Sequence, residues 1–290
     1  MLPAPLEPPW VDAPGGTPRG VGVELEVEGL GARETAAMVR ELLGGELRER
    51  SPYRLDVAGT ALGDVTVELD LRLAHVPEGA PALGARRLFA GAVGLAASMV
   101  IPVELIFAPL PPARLPELDR LVAAMVSALP NLRPAGPHLN PEVASFDPDY
   151  LRAHLHAFSL LGPQLRAEMG LPPPWRIGFV TAYPPAYQAL LADPAYRPDL
   201  ARLIADYLDA NPTRYRELDM LPLFAFLAPE AVHGRFGLQK IKPRPVFHWR
   251  LPGARPYAGV VADWNRWVEV ERLAADPERL AATAQAAGEA

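Results

Sequence analysis

The chain has 290 residues, half of them hydrophobic, and a formal net charge of −6; that length suits one enzyme-sized domain with its own core, and the acidic balance argues against general nucleic-acid binding, which appears as a basic excess. It contains no cysteine, so disulfides, thiolate metal sites and cysteine nucleophiles are excluded, and chemistry must come from oxygen and nitrogen groups. Its 35 prolines and 23 glycines stay below the roughly 25–30% of low-complexity disorder and are expected in loops.

Residues 1–19 lack the basic segment and continuous apolar run of a signal peptide, so they read as a proline-rich arm before a domain spanning 20–290, and the chain is expected in the cytoplasm. VGVELEVEG, from Val21 to Gly29, alternates with the period of a half-buried strand and puts Glu24, Glu26 and Glu28 on one face. From Ala32 to Leu43 the period becomes helical, with Ala36, Val39, Leu42 and Leu43 on one side. Asp64 to Leu73 alternates again: Val65, Val67, Leu69, Leu71 and Leu73 oppose Asp64, Thr66, Glu68, Asp70 and Arg72. A helix is expected over Leu83 to Val100, then an apolar strand, VIPVELIFAPL, interrupted by Glu104. Further along, ELDRLVAAMVSAL reads as a helix, AGPHLNPEV as a loop or strand end, and DPDYLRAHLHAFSLL as a helix capped by Asp147. WRIGFVTAY suits a short strand, PDLARLIADYLDANP a helix stopped by Asn211 and Pro212, and two helices near 262–274 and 277–287 close the chain. Strands and helices mix without a βαβ rhythm, so the expected fold class is α+β with a mostly antiparallel sheet. No run reaches the roughly 20 apolar residues of a spanning helix, so no membrane partner is expected.

Acids on the outward face of an antiparallel strand are ordinarily solvated, which is a sufficient account of Glu26, Glu28, Glu68 and Asp70 taken singly. Glu104 differs, because Val103, Leu105, Ile106 and Phe107 are apolar in both parities and imply burial. A buried carboxylate must be hydrogen-bonded, protonated or bound to a cation. Carboxylates from three strands, Glu24 with Glu26, Glu68, and Glu104, would together suit Mg²⁺, a hard ion that takes oxygen ligands and bridges to phosphates. KIKPRPVFHWRL, residues 240–251, supplies the opposite charge: Lys240, Lys242, Arg244, His248 and Arg250 share one parity, and Lys240 and Lys242 are the only lysines in the chain. Its bland reading is a basic solvated strand; opposed to the acids it becomes an anion cradle, with Arg250 best placed for a phosphoryl charge. His138 and Asn140 in GPHLNPEV and Arg214 in NPTRYRELD complete the candidates.

Taken in order, GVELE (22–26), VELIFAPL (103–110), GPHLN (136–140), TRYRELDMLPL (213–223), FHWRLPGA (247–254) and a Trp-rich helix at Trp264 and Trp267 resemble the amidoligase family, within the carboxylate–amine ligase superfamily that includes glutamine synthetase and glutamate–cysteine ligase. The resemblance implies a curved antiparallel sheet lining a catalytic funnel, ATP with Mg²⁺ or Mn²⁺ as cofactors, and a small-molecule or peptide substrate bearing carboxylate and amine groups. It also implies Glu24, Glu26 and Glu104 as metal ligands with Glu68 and His248 beside them, His138 as a ligand or phosphate contact, and Arg214 and Arg250 as phosphate contacts; Lys240, Lys242 and Asn140 would help hold the nucleotide. The expected activity is amide formation through an acyl phosphate. A catalytically degenerate peptide- or protein-binding module and a phosphotransferase on the same sheet are the alternatives. Two departures bear on this: His248-Trp249-Arg250 stands where the family usually has Glu-x-Arg, and His138-Leu139-Asn140 where it often has His-x-His. Imidazole is softer than carboxylate and shifts preference toward Mn²⁺ or Zn²⁺.

Overall fold

A computed structural model describes residues 3–51, 53–69, 102–134, 137–170, 180–237, 241–250 and 257–288. The helix expected over 83–100, the end of the second predicted strand beyond 69, most of WRIGFVTAY, and Lys240 lie outside these residues. The fold is α+β. Strands β1 (Val21–Glu28), β2 (Glu46–Ser51), β3 (Arg54–Thr60), β4 (Gly63–Leu69), β5 (Val103–Leu110), β6 (Arg133–Pro134), β7 (His138–Pro141), β8 (Leu218–Asp219) and β9 (His248–Trp249) form one open sheet in the order β2-β3-β4-β5-β1-β7-β9-β8, with β6 also on β1. Every pairing between these strands is antiparallel.

Because side chains alternate along a strand, one face of the sheet is apolar and the other polar. Val21, Val23, Leu25 and Val27 of β1 are almost fully buried, as are Val103, Leu105 and Phe107 of β5 and Val65 and Val67 of β4. Helices cover this face: α1 (Ala32–Leu43), α2 (Leu115–Ala128), α3 (Pro148–Glu168) and α8 (Val260–Ala274). The remaining described helices are α4 (Pro185–Ala192), α5 (Leu200–Ala210), α6 (Leu221–Leu227), α7 (Pro229–Phe236) and α9 (Pro277–Gly288). In α3 the side chain of Asp147 accepts from the backbone of Asp149 and Tyr150, as the sequence predicts. In α1 the buried side is Ala32, Thr35, Ala36 and Val39, while Leu42, expected inward, is 41% exposed. It lies in the last turn of the helix.

KIKPRPVFHWRL forms a much shorter strand than its alternation suggests. Pro243 and Pro245 have no N–H to give a ladder, and pairing is confined to the isolated bridge of Val246 with Glu142 and to β9. The parity nevertheless holds: Phe247 and Trp249 pack toward Trp267, at ring-centroid distances of 5.1 and 5.8 Å, leaving His248 and Arg250 for the opposite face. Strand β8 is equally short and is fixed by tyrosines: the Tyr183 hydroxyl donates to the Leu218 carbonyl at 2.6 Å, and the Met220 N–H donates to the Tyr207 hydroxyl at 3.0 Å.

The N-terminal arm is anchored to the helical layer. Arg19 makes a two-pronged pair with Glu271 of α8 at 2.6 and 3.1 Å and also donates to the carbonyls of Trp10 and Glu142. Glu271 is fully buried. Arg19→Met is therefore expected to lower stability by about 3–5 kcal/mol, the cost of stranding a buried charge; chemical denaturation measures it, and a loss under about 1 kcal/mol would mean that Glu271 finds another partner. Asp263 titrates in the opposite sense to a paired surface acid. Burial, against the pull of Arg266, raises its carboxyl from 3.8 to about 6. Between those values the folded state holds the proton more tightly than the unfolded chain, so stability falls as pH rises through this window. Asp263→Asn should remove a pH-dependent loss of about 3 kcal/mol, seen as a flatter melting-temperature profile between pH 4 and 6.

Candidate active-site cleft

Residues directly opposite in an antiparallel pair share a face, so the register carries chemistry across the sheet in rows. One row is Arg54, Glu68, Glu104 and Glu26, on β3, β4, β5 and β1. The next is Asp56, Thr66, Ile106, Glu24 and His138, on β3, β4, β5, β1 and β7. With Leu139 opposite Trp249, the row continues to Arg250, whose N–H donates at 2.8 Å to the carbonyl of Glu217. Asn140, His248 and Asp219 follow in the neighbouring row, Asp219 facing His248. Gly22 is paired with Asn140, and a Cβ there would stand 3.3 Å from the Asn140 Cβ. The glycine of GVELE thus leaves room for the asparagine beside Glu24.

Glu24 is the hub. Its Oε2 lies 3.3 Å from His138 Nδ1 and 3.9 Å from His248 Nε2, and its Oε1 accepts from Asn140 Nδ2 and Arg244 Nη1, each at 3.3 Å. Burial alone would raise its carboxyl, but the hydrogen bond and charge of His138 and the nearby Arg244 outweigh it and hold Glu24 well below the usual carboxylate range. His138 is shifted upward: burial disfavours its charge, yet the Glu24 hydrogen bond and the Glu26 carboxylate, with Oε1 3.9 Å from Nε2, favour the imidazolium more. His248 is driven well down by burial and by Arg250 and is neutral. Asp219 is raised by burial against the opposing pull of Arg250, which donates to it at 3.2 Å, and its other oxygen accepts from the Leu221 N–H at the start of α6.

Glu24, His138 and His248 each offer a donor atom within 4.8 Å of the others, and all three are buried. Both ring nitrogens of His248 and Oδ1 of Asn140 are buried without a hydrogen-bond partner among the described residues. Orphaned nitrogen and oxygen donors around one carboxylate fit a divalent cation, and one carboxylate with two imidazoles fits Mn²⁺ or Zn²⁺ better than Mg²⁺. Beside the triad opens a cleft of about 470 Å³, continuous with solvent, whose walls carry Glu104, Asp219, Arg214, Lys242, Arg244 and Arg250.

The candidates named from sequence thus divide. Glu24, His138 and His248 meet, Asn140 is bonded to Glu24, and Arg214, Lys242, Arg250 and Glu104 line the cleft. Glu104 is 1% exposed, as its apolar neighbours imply, while Glu68 is half-buried and paired with Arg54 at 3.3 Å. Sequence reasoning placed Arg244 on the basic face of residues 240–251 without giving it a role of its own, and did not single out Asp219. The structure adds the Arg244 contact with Glu24, and Asp219 becomes visible only when β8 pairs with β9.

The cleft thus sets a Glu-His-His donor group among guanidinium groups, a lining suited to charged ligands. The chain belongs to the amidoligase family: a family model described as "putative amidoligase enzyme" matches residues 17–270. That description places it among ligase-type enzymes. Comparisons with curated proteins and with solved structures return no match. Among the described residues no helix is long and apolar enough to cross a membrane.

If the triad binds a cation, excess Mn²⁺ should raise the melting temperature of the wild type more than Mg²⁺ does and leave Glu24→Gln and His248→Phe unmoved. Equal shifts in all three proteins would put the ion elsewhere.

Proposed function

We propose that the protein is an ATP-dependent carboxylate–amine ligase, with residues 20–290 as its catalytic unit and the polar face of the sheet as the lining of a glutamine-synthetase-like funnel. The observation that carries this reading is the juxtaposition, in one cleft, of a Glu-His-His donor set with Arg214, Lys242, Arg244 and Arg250. Making an amide from a carboxylate requires a better leaving group than oxide. Transfer of the γ-phosphoryl group to the carboxylate oxygen supplies one, and attack of an amine on the acyl phosphate then expels phosphate and forms the amide. The protein's part in phosphoryl transfer is chiefly positioning and charge stabilisation.

Arg250 is suited to that part because Asp219 fixes its guanidinium and β9 fixes its backbone. Arg214, Lys242 and Arg244 supply further positive charge for phosphate and carboxylate oxygens. Glu24, His138 and His248 would hold a divalent cation, which when bound neutralises charge on phosphate oxygens.

A phosphotransferase would use the same cleft, so the product decides between the readings. Incubation with ATP, Mn²⁺ or Mg²⁺ and pools of amino acids or peptides should release ADP and yield an amide by mass spectrometry; a phosphorylated amine would establish the transferase instead. Absence of ADP with every pool, together with absence of nucleotide binding, would remove both and leave a peptide-binding module. Arg250→Met is expected to lower turnover by about 10²–10³, the effect of deleting one preorganised transition-state donor, with an unchanged circular dichroism spectrum as the control for folding.

A further inference from the structure

The two imidazoles of the cleft are each held between two carboxylates. His138 on β7 stands opposite Glu24 of β1, with Glu26 two residues on along the same face. Its Nδ1 lies 3.3 Å from Glu24 Oε2, and its Nε2 lies 3.9 Å from Glu26 Oε1. His248 on β9 stands opposite Asp219 of β8. Its Nε2 lies 3.9 Å from Glu24 Oε2, and its Nδ1 lies 4.0 Å from Asp219 Oδ2. One nitrogen of each ring thus converges on the same oxygen of Glu24, and the other faces an acid of its own.

A neutral imidazole has one lone-pair nitrogen and one N–H, and the group that takes the N–H decides which nitrogen is left to bind a metal. Metal-bound histidines ordinarily give their other N–H to a carboxylate, carbonyl or water, which fixes the ring and raises its basicity. Asp219 is anchored for that part: Oδ1 accepts from the Leu221 N–H at 3.0 Å, Oδ2 accepts from Arg250 Nη2 at 3.2 Å, and the residue is 2% exposed. Glu26 is carried by β1, which is paired on both sides within the sheet. The separations of 3.9 and 4.0 Å exceed an N–H···O bond by about 1 Å, a gap that rotation about the soft terminal torsion of each histidine closes. Glu26 is badly placed as a further ligand to the same ion. The two nitrogens of one ring point in divergent directions, so an ion shared by Glu24 and His138 Nδ1 lies across the ring from Glu26. Accordingly, the donor atoms found within 4.8 Å of one another belong to Glu24, His138 and His248, without Glu26.

We propose that Glu26 and Asp219 are positioning residues of the cation site: each takes the N–H of one imidazole, so that His138 ligates through Nδ1 and His248 through Nε2. The inference rests on the cation position of the ligase reading and goes beyond it in assigning the ligand atoms and the acids behind them. Glu26, which the family resemblance puts among the metal ligands, is thereby moved behind His138. Asp219 gains a second task. Its Oδ2 already holds Arg250, so the residue that orients one ligand of the cation also orients the guanidinium suited to phosphate.

Long-range proton–nitrogen NMR spectra of the full chain, with isotope-labelled histidine and Zn²⁺ as a diamagnetic probe, read the ligating nitrogens directly; His138→Gln and His248→Phe assign the two rings. The Zn²⁺-loaded wild type should show His138 bound through Nδ1 and His248 through Nε2, with protons kept on the other two nitrogens. By calorimetry, Glu26→Ala and Asp219→Ala should each weaken Zn²⁺ binding about 10–100-fold. Glu26→Gln and Asp219→Asn keep an acceptor oxygen and should recover part of that loss, whereas Glu68→Ala, in the same row as Glu26, should bind as the wild type does. Should the Asp219 variants fail to fold, the wild-type nitrogen assignment and the Glu26 series decide. Coordination through the opposite nitrogen of either ring, wild-type affinity in either alanine variant, or a loss of binding in Glu26→Ala as complete as in Glu24→Gln would overturn the proposal while leaving the cation reading standing. No Zn²⁺ binding by the wild type would remove the cation reading and this inference together. Ligand nitrogens as expected, with no ADP released from any substrate pool, sink the ligase and keep the positioning roles.

Discussion

Strand register is the constraint on which the rest of this structure depends. Glu24, His138, Arg250 and Glu217 come from four separate places in the sequence, and they face the same side only because β1, β7, β9 and β8 pair as they do. The side-chain period of a strand is two, so a slip of one residue at any of these pairings would turn Glu24 toward the helices or His248 away from Glu24. The apolar face guards against such a slip. Leu25, Leu139, Leu218 and Trp249 are all about 1% exposed or less, and reversing any strand would place an acid, an imidazole or a guanidinium in that layer. Core packing and site geometry are thus two sides of one alternation.

The short strands at the β8 edge need more than ladder bonds, because two-residue strands supply few of them. Tyr183 and Tyr207 hold the β8 backbone through their hydroxyls, and Phe247 and Trp249 pin β9 against Trp267. His154, buried and stacked on Phe247 at 4.8 Å, belongs to this support: burial lowers it to about 4, so it is neutral and acts as one more flat ring, bonded to the Tyr150 carbonyl. Chemistry-bearing residues stand on the least regular part of the sheet, and an aromatic layer behind it supplies the rigidity that longer ladders give elsewhere.

What could be read from the sequence follows how local each signal is. The alternation of β1 and of residues 64–69, the Asp147 cap and the stop at Asn211 are local, and each appears where expected. Glu104 was legible because a lone acid in an apolar strand has few places to go. The hairpin of β2 and β3 was not: ELRERS is an edge strand with only Leu47 apolar, and charge on an exposed edge blunts both aggregation and the pattern that would announce the strand. Asp219 and Glu217 lie inside a motif that was noticed, yet their roles depend on pairing with residues some 30 positions later. The pair of Arg19 with Glu271 spans 252 positions and has no sequence signature at all.

Histidine at 248 has consequences beyond ligand softness. Among the groups lining the cleft, Arg214, Lys242, Arg244 and Arg250 outnumber Glu24, Glu104 and Asp219, and a carboxylate at 248 would have balanced them. With a neutral imidazole there, the potential in the cleft is positive, which disfavours a bare dication and attracts a polyanion. Two of the guanidinium groups compete directly for the acids: Arg244 for Glu24 and Arg250 for Asp219. Each of these pairs balances one guanidinium against one carboxylate within the cleft wall. An incoming phosphate or carboxylate offers the arginines better, bidentate partners, and drawing Arg244 off Glu24 frees Oε1 toward a cation. If the Glu-His-His set takes a cation and the arginines an anion, this charge arrangement would couple the two ligands, each strengthening the other.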